Sequence, residues 1–341
     1  MELLLNRPLA NTYGWLHANG TAVTSQVEGA AALTEELPAG VEAFWEEGGD
    51  AALERTGAGT DTAALLKGVA KRVYRVESPV AAETPLRLHF AFCEPDAGAR
   101  VEFRLGEGAA LNVVMDYAGG THAAAVRTEA VLGKNAQLRL AQIQCLNDDA
   151  VFIHDVGAVC GGEAQLSLVR LVLSGSETYD GCSVALTGER SGFTADVGYR
   201  LGGDSKLDMN YEAIHTGKKT TSEMNIAGVL SDNAFKLFRG TIDLRRGCAG
   251  AVGNELEDVL MMDDTTRNQT IPVILCDEED VVGNHGATIG RLDEEVIYYL
   301  ESRGMERGAI YDMMARARID AVIRRIPDEK TVAALLPDEE D

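Results

Sequence analysis

From Leu86 the apolar positions along the chain fall on every second residue: Leu86, Leu88, Phe90 and Phe92, then Val101, Phe103 and Leu105, with polar or small residues between them. That period of two predicts half-buried strands, and it persists for about 200 residues. Within it Ala136-Gln-Leu-Arg-Leu-Ala-Gln-Ile-Gln-Cys145 and Ala164-Gln-Leu-Ser-Leu-Val-Arg-Leu-Val-Leu173 superpose at an offset of 28 residues. In the first, the apolar set runs 136, 138, 140 and then 141, 143, 145; the second switches parity at the same point. A parity switch predicts a strand that bends and presents its other face. A further 28 residues on, Val197, Tyr199 and Leu201 repeat the second half, while 192–196 repeats the first half poorly. Glycine turns recur at Gly106-Glu-Gly108, Gly133, Gly161-Gly162 and Gly202-Gly203. Fixed spacing, bent strands and glycine corners predict a β-solenoid, with a β-sandwich of irregular hairpins as the alternative.

The flanks read differently. Residues 1–85 form an N-terminal cap with short helical patterns at 41–47 and 62–70, interrupted by Pro8 and Pro38. Trp15 and Trp45 fall here and read as hydrophobic anchors of the cap rather than a ligand-stacking site. The solenoid core takes 86–290, with strand-like runs on either side of Ser231-Asp232-Asn233, a buried rung from Val259 to Met262, a polar loop at 263–270 and a return to strand from Pro272. Residues 291–341 are helical with an acidic tail. Val296, Ile297 and Leu300 share a face, Gly304 stands where a C-cap belongs, and a second helix over 306–326 carries Ile310, Met313, Met314, Ala317 and Ala321 at helical spacing opposite many arginines. Such methionines serve either packing or the docking of another subunit.

Charge narrows the function. The 341 residues carry a net charge of −23, with acids at 338–341, which excludes binding to nucleic acid or an anionic membrane and favours a protein partner with a basic surface. Glu2 and the short apolar run after it do not make a signal peptide, and no stretch reaches about 18 apolar residues, so a cytoplasmic protein is expected. The six cysteines (93, 145, 160, 182, 248, 276) are widely spaced without a CxxC pair and read as reduced, mostly buried thiols.

Candidate chemistry lies in Cys276-Asp-Glu-Glu-Asp-Val-Val-Gly-Asn-His-Gly-Ala-Thr-Ile-Gly-Arg-Leu-Asp293. His285 stands among glycines at the border of strand and helix, accessible to a partner or to iron. Bonding of the imidazole to a solenoid corner is the plainer reading of the residue alone. The acids at 277–280 read as a solvated, edge-protecting run. Cys248, in a glycine-rich loop beside Arg245 and Arg246, is a candidate for a lowered thiol pKa and for accepting sulfur or ligating iron; Cys276 reads as buried filler.

The ordered set VLSDNAFKLFRGTI (229–242), the leucine and methionine rung ending at Asp263, the run 272–280, NHGATIGRLDEE (284–295) and IYYLESRGM (297–305) resembles the C-terminal half of the SufB/SufD family of iron-sulfur cluster assembly proteins. The resemblance covers about 220–325. It implies a right-handed parallel β-helix with a short C-terminal helical domain. It also implies a scaffold rather than an enzyme, which pairs with a SufB-type chain or with itself, holds a SufC-type ABC ATPase on its C-terminal helices, and receives sulfur from a cysteine desulfurase system. A transient iron-sulfur cluster at the subunit interface is the implied cargo, and some members of the family bind reduced flavin, for which no motif stands here. Carried over, the family histidine falls on His285. The position of the SufB cysteine, counted from Phe238-Arg-Gly240, is Glu257, and Gly286 replaces the glutamate that follows the histidine in SufB. Both departures point to a SufD-like member, although the Gln- and Asn-rich run common in SufD is replaced here by 253–258.

The candidate cluster residues are therefore His285, Cys248 and Glu257, and the candidate ATPase contacts on 294–326 are Tyr298, Tyr299, Met313 and Met314. A β-helix enzyme acting on acidic polysaccharide, and a structural adaptor without cluster chemistry, are the alternatives. No GxGxxG or Walker-type motif is present, so ATP hydrolysis belongs to a partner.

Overall fold

The 28-residue offset is one coil of a parallel β-solenoid: Gln137 of one coil pairs with Gln165 of the next, and the register holds along the strand. The structure, a computed structural model, describes all residues except 13, 26, 49–51, 94–95 and 337–341, so the acidic tail lies outside the described residues. The chain begins with β1 (Glu2–Leu5), β2 (Thr21–Thr24), β3 (Gly29–Ala30), β4 (Ala32–Glu36), β5 (Glu42–Glu47) and helix α1 (Thr60–Val69). The coils then run through β6 (Arg72–Ser78), β7 (Leu86–Phe92), β8 (Ala97–Leu105), β9 (Ala110–Gly119), β10 (Ala123–Leu132), β11 (Gln137–Leu146), β12 (Val151–Cys160) and β13 (Gln165–Val172). They continue through β14 (Glu177–Leu186), β15 (Gly192–Leu201), β16 (Lys206–His215), β17 (Thr221–Leu230), β18 (Phe235–Leu244), β19 (Ala251–Met261), β20 (Arg267–Cys276) and β21 (Val281–Gly290). Helices α2 (Glu294–Glu301), α3 (Arg307–Ile323) and α4 (Glu329–Leu335) follow.

Even-numbered strands from β6 to β20 stack in one parallel sheet and odd-numbered strands from β7 to β21 in the other, so each even-odd pair is a coil, about eight in all. Leu, Val and Phe side chains of both sheets point inward and stack coil upon coil into one core. Each such side chain contributes about 1.5–3 kcal/mol relative to exposure. At the corners the backbones touch: a Cβ on Gly188 would lie 2.0 Å from the amide nitrogen of Gly162, which is why one corner repeats glycine.

The two ends differ. At the start, β5 pairs antiparallel with β6 and β4 antiparallel with β7, closing the first coil. At the other end β20 and β21 are the last strands of their sheets. The expected N-terminal helical cap thus holds more strand than helix. Residues 60–69 form a helix, but 42–47, whose apolar positions fit either period, pair with β6 instead. Nor do the tryptophans anchor it. Trp15 is 74% and Trp45 39% exposed, the latter set edge-on against Tyr74. Leu3, Leu5, Leu65 and Leu66 fill the cap's interface against Ala125, Ile153 and Tyr179. The loop before α1 lies on the outer face of the even sheet, where Thr56 Oγ1 and the Ala58 amide donate to the buried Asp155 carboxylate (2.7 and 2.9 Å), itself paired with Arg127 at 2.8 Å.

The parity switch has a different origin from a bend. In β11 and β13 the inward positions continue through Gln142, Gln144 and Arg170, polar residues sealed inside the solenoid; the outward positions Ala141, Ile143, Val169 and Leu171 are apolar because α3 covers them with Ile319, Val322 and Ile323. Arg170 is fully buried, donating to Asp180 at 3.0 Å and Gln144 at 2.6 Å, and His154 meets the same Asp180 at 2.7 Å. Burial and the Arg170 charge push the His154 pKa down. The buried stripe of α3 is likewise rotated from the expected one: Ile310, Ala315, Ile319, Val322 and Ile323 face the protein, whereas Met313, Ala317 and Ala321 are exposed. Among the described residues no helix is long and apolar enough to cross a membrane.

Candidate functional site

The open end of the solenoid is built from β18 to β21, and the sequence FKLFRG explains how it is furnished. Strand alternation turns Lys236, Phe238 and Gly240 of β18 inward. Arg239 turns outward, where it is fully buried and donates to the Ala18 carbonyl and to Asp208. Inside, Lys236 pairs with Glu257 of β19; both side chains are wholly excluded from solvent. Thr270 of β20 closes the group, accepting from Lys236 Nζ at 3.0 Å and donating to Glu257 Oε2 at 2.7 Å. Burial lowers the Lys236 pKa and the Glu257 charge opposes it.

Glu255, two residues before Glu257, faces the same interior. Its carboxyl occupies the space that a side chain on residue 240 would fill: a Cβ on Gly240 would lie 1.8 Å from Oε2. Burial first, and the Glu257 charge second, raise its pKa to about 7. β21 pairs with β19 so that His285 stands directly opposite Glu255, and the His285 Nδ1 to Glu255 Oε1 distance is 3.1 Å. The imidazole is 28% exposed, and its Nε2 makes no hydrogen bond with a described residue. A neutral ring held this way offers an Nε2 lone pair suited to iron. Among the described residues no three His, Cys, Asp or Glu side chains come together as a metal-ligating group.

Of the candidate cluster residues, the structure brings His285 and Glu257 to one end of the interior, linked through Glu255, and keeps Cys248 apart. Cys248 is fully buried in the apolar core at the corner between β18 and β19. Burial and the nearby Glu278 raise its pKa, against the expected lowering, and Arg245 is occupied by Asp243 at 2.7 Å. The two thiols exchange roles relative to expectation, since Cys276, at the end of β20, is exposed. The cysteines as a set divide evenly, with 93, 145 and 276 exposed and 160, 182 and 248 buried. The acids at 277–280 stitch the last corner to the one before: Glu278 accepts the Gly247 amide at 2.8 Å and the Asp280 carbonyl accepts the Gly250 amide at 2.6 Å.

On the helices, Tyr298, Tyr299 and Met313 are exposed at 74%, 55% and 43%, while Met314 packs against the cluster of Val229, Leu260 and Ile297. Hydrophobic patterning alone does not single out Lys236, Glu255 and Thr270. Lys236, Glu255 and Glu257 carry a signal, three charged residues at inward parity in two strands with Gly240 facing Glu255, whereas Thr270 carries none.

A family model described as the SUF system FeS cluster assembly, SufBD core domain, matches residues 96–318. The chain is similar to the iron-sulfur cluster assembly protein SufD of Bacillus subtilis, 27% identical over 210 residues that cover 59% of this chain and 46% of that protein. It is 24% identical to an iron-sulfur cluster assembly SufBD family protein of Mycobacterium tuberculosis over 209 residues, 61% of this chain and 24% of the relative. A Staphylococcus epidermidis protein with the same description is 24% identical over 278 residues, 75% of this chain and 57% of the relative. The chain thus spans between about a quarter and somewhat over half the length of these relatives.

Proposed function

The chain belongs to the SufBD core family of the SUF iron-sulfur cluster assembly system, and from that premise we propose that it is a SufD-like, non-catalytic scaffold subunit of the cytoplasm. In this reading the open end of the solenoid meets a SufB-type chain, the exposed side of α2 and α3 holds a SufC-type ATPase, and a cysteine desulfurase system supplies sulfur. The cluster is cargo, built where His285 faces the partner. The observation that carries the reading is the coincidence, at one end of the molecule, of two sheet edges that pair with no further strand among the described residues and a partly exposed imidazole. Unpaired edges are templates for strand addition, and exposed Leu256, Ile274, Val282 and Ile289 line this end. His285 supplies one nitrogen ligand, Glu255 holds its ring, and the Lys236–Glu257–Thr270 group seals the interior behind it.

Glu257 favours a second reading, an adaptor without cluster chemistry, because its carboxylate is committed to Lys236 where SufB has a thiolate. Co-expression with a SufB-type chain and a SufC-type ATPase tests the proposal. All three are expected to co-purify, Ile274→Glu with Ile289→Glu to release the second scaffold, and Tyr299→Glu with Met313→Glu to release only the ATPase. A chain that binds neither partner contradicts it. Iron and acid-labile sulfide in the complex separate the scaffold from the adaptor.

A further inference from the structure

We propose that Glu255 is the positioning residue for His285: its carboxylate holds the imidazole through Nδ1 and leaves Nε2 facing the open end of the solenoid, ready for a transition-metal ion. This rests on the reading of His285 as an iron ligand. Three observations carry it. The residues are cross-strand partners in the β19–β21 register, and Nδ1 lies 3.1 Å from Oε1. The carboxyl is in a fitted slot, since a Cβ on Gly240 would come within 1.8 Å of Oε2 and 2.4 Å of Cδ. Finally, His285 is the hydrogen-bond partner of the Glu255 carboxyl among the described residues, while Lys236 sits directly on Glu257.

A buried acid without a lysine or arginine of its own is costly to keep, and packing alone would be served by a valine or threonine. Orienting a metal-binding imidazole is a use that needs the carboxylate. When it accepts a hydrogen bond from Nδ1–H it fixes the tautomer with the lone pair on Nε2, the arrangement by which carboxylates commonly orient ligating histidines. Glu257 cannot take over, being held on Lys236 and Thr270.

The test uses the full chain labelled with ¹⁵N-histidine, reading the His285 ring nitrogens by NMR and titrating Co(II) as the probe. With Glu255 ionised, at a pH above about 7, the wild type is expected to show one tautomer, protonated at Nδ1. Glu255→Ala is expected to give mixed tautomers and an affinity for Co(II) about 10–100-fold weaker, the usual effect of removing such a support. Gly240→Ala, which displaces the carboxyl while leaving Glu255 in the chain, is expected to act in the same direction. Glu255→Gln, whose amide oxygen still accepts from Nδ1–H, is expected to lose less. If His285→Ala abolishes Co(II) binding while Glu255→Ala changes neither tautomer nor affinity, the positioning role is overturned and the ligand reading stands. If His285→Ala leaves Co(II) binding unchanged, the ligand reading falls and the positioning role with it.

Discussion

Replacing Lys236 by methionine leaves Glu257 charged and sealed inside the solenoid, and the cost follows from what remains around it. Both side chains of the pair are 0% exposed, and removing one partner of such a pair typically costs about 3–5 kcal/mol. Thr270 still donates to Glu257 at 2.7 Å, and a hydrogen bond to a charged group retains about 1.5–3 kcal/mol. The lower end, about 3 kcal/mol, is therefore expected for Lys236→Met. The double variant Lys236→Met with Glu257→Leu removes both charges, and a buried pair replaced by apolar residues is often neutral or stabilising by about 1–4 kcal/mol; it should recover most of the loss. Because solenoid coils contact only their neighbours, the damage should stay local. Amide exchange should accelerate in β18 to β20 of the single variant while β10 to β13 keep their protection, and urea unfolding gives the total. A single variant within about 1 kcal/mol of wild type, the level of a surface ion pair, or a double variant no more stable than the single one, would refute the sealed interior.

Two further outcomes follow from the same geometry. Glu255 ionises near 7 in the folded protein against an ordinary 4.5, so between those values the folded state binds more protons than the unfolded one. Stability therefore falls as pH rises from about 4.5 to 7 and levels above it, by about 3 kcal/mol at 1.36 kcal/mol per pKa unit; Glu255→Gln should flatten that decline in urea titrations at several pH values, and an unchanged slope would contradict the assignment. A Cβ on Gly181 would lie 2.0 Å from the Ala58 amide nitrogen, backbone against backbone, so Gly181→Ala should lift the loop before α1 off the sheet, cost about 1–3 kcal/mol and open residues 52–62 to proteases; a variant as resistant as wild type would show that the loop yields without leaving.

The solenoid was legible because its repeat is a direct consequence of stacking: a residue and its partner one coil on occupy equivalent places, and Leu138 over Leu166 says so in the sequence. What alternation cannot reveal is which face is covered by what. Ile143 and Leu171 are apolar outside because α3 lies on them, and Gln142 and Arg170 are polar inside because Gln142 donates to Tyr117 and Thr128 and Arg170 to Asp180 and Gln144, so a continuous strand reads as a bent one. The stripe of α3 departs from the expected one for the same reason: Met313 and Ala317 fit a helical face, but contact with the sheet is made by Ile319 and Val322. At the site, His285 stood out among its glycines, whereas its relation to Glu255 depends on the β19–β21 register, 30 residues apart in the chain. Cys248 lies apart from His285, buried in the core, and Arg245 beside it in sequence is held by Asp243.

The most direct test of the scaffold reading is the iron and acid-labile sulfide content of the anaerobically purified complex, formed with a SufB-type chain and a SufC-type ATPase, in wild type and in His285→Ala. The account predicts iron and sulfide in the wild-type complex and their loss in the variant at unchanged subunit stoichiometry. A variant complex that keeps both in full would contradict the place given to His285, and a wild-type chain that recruits neither partner nor cluster would contradict the function itself.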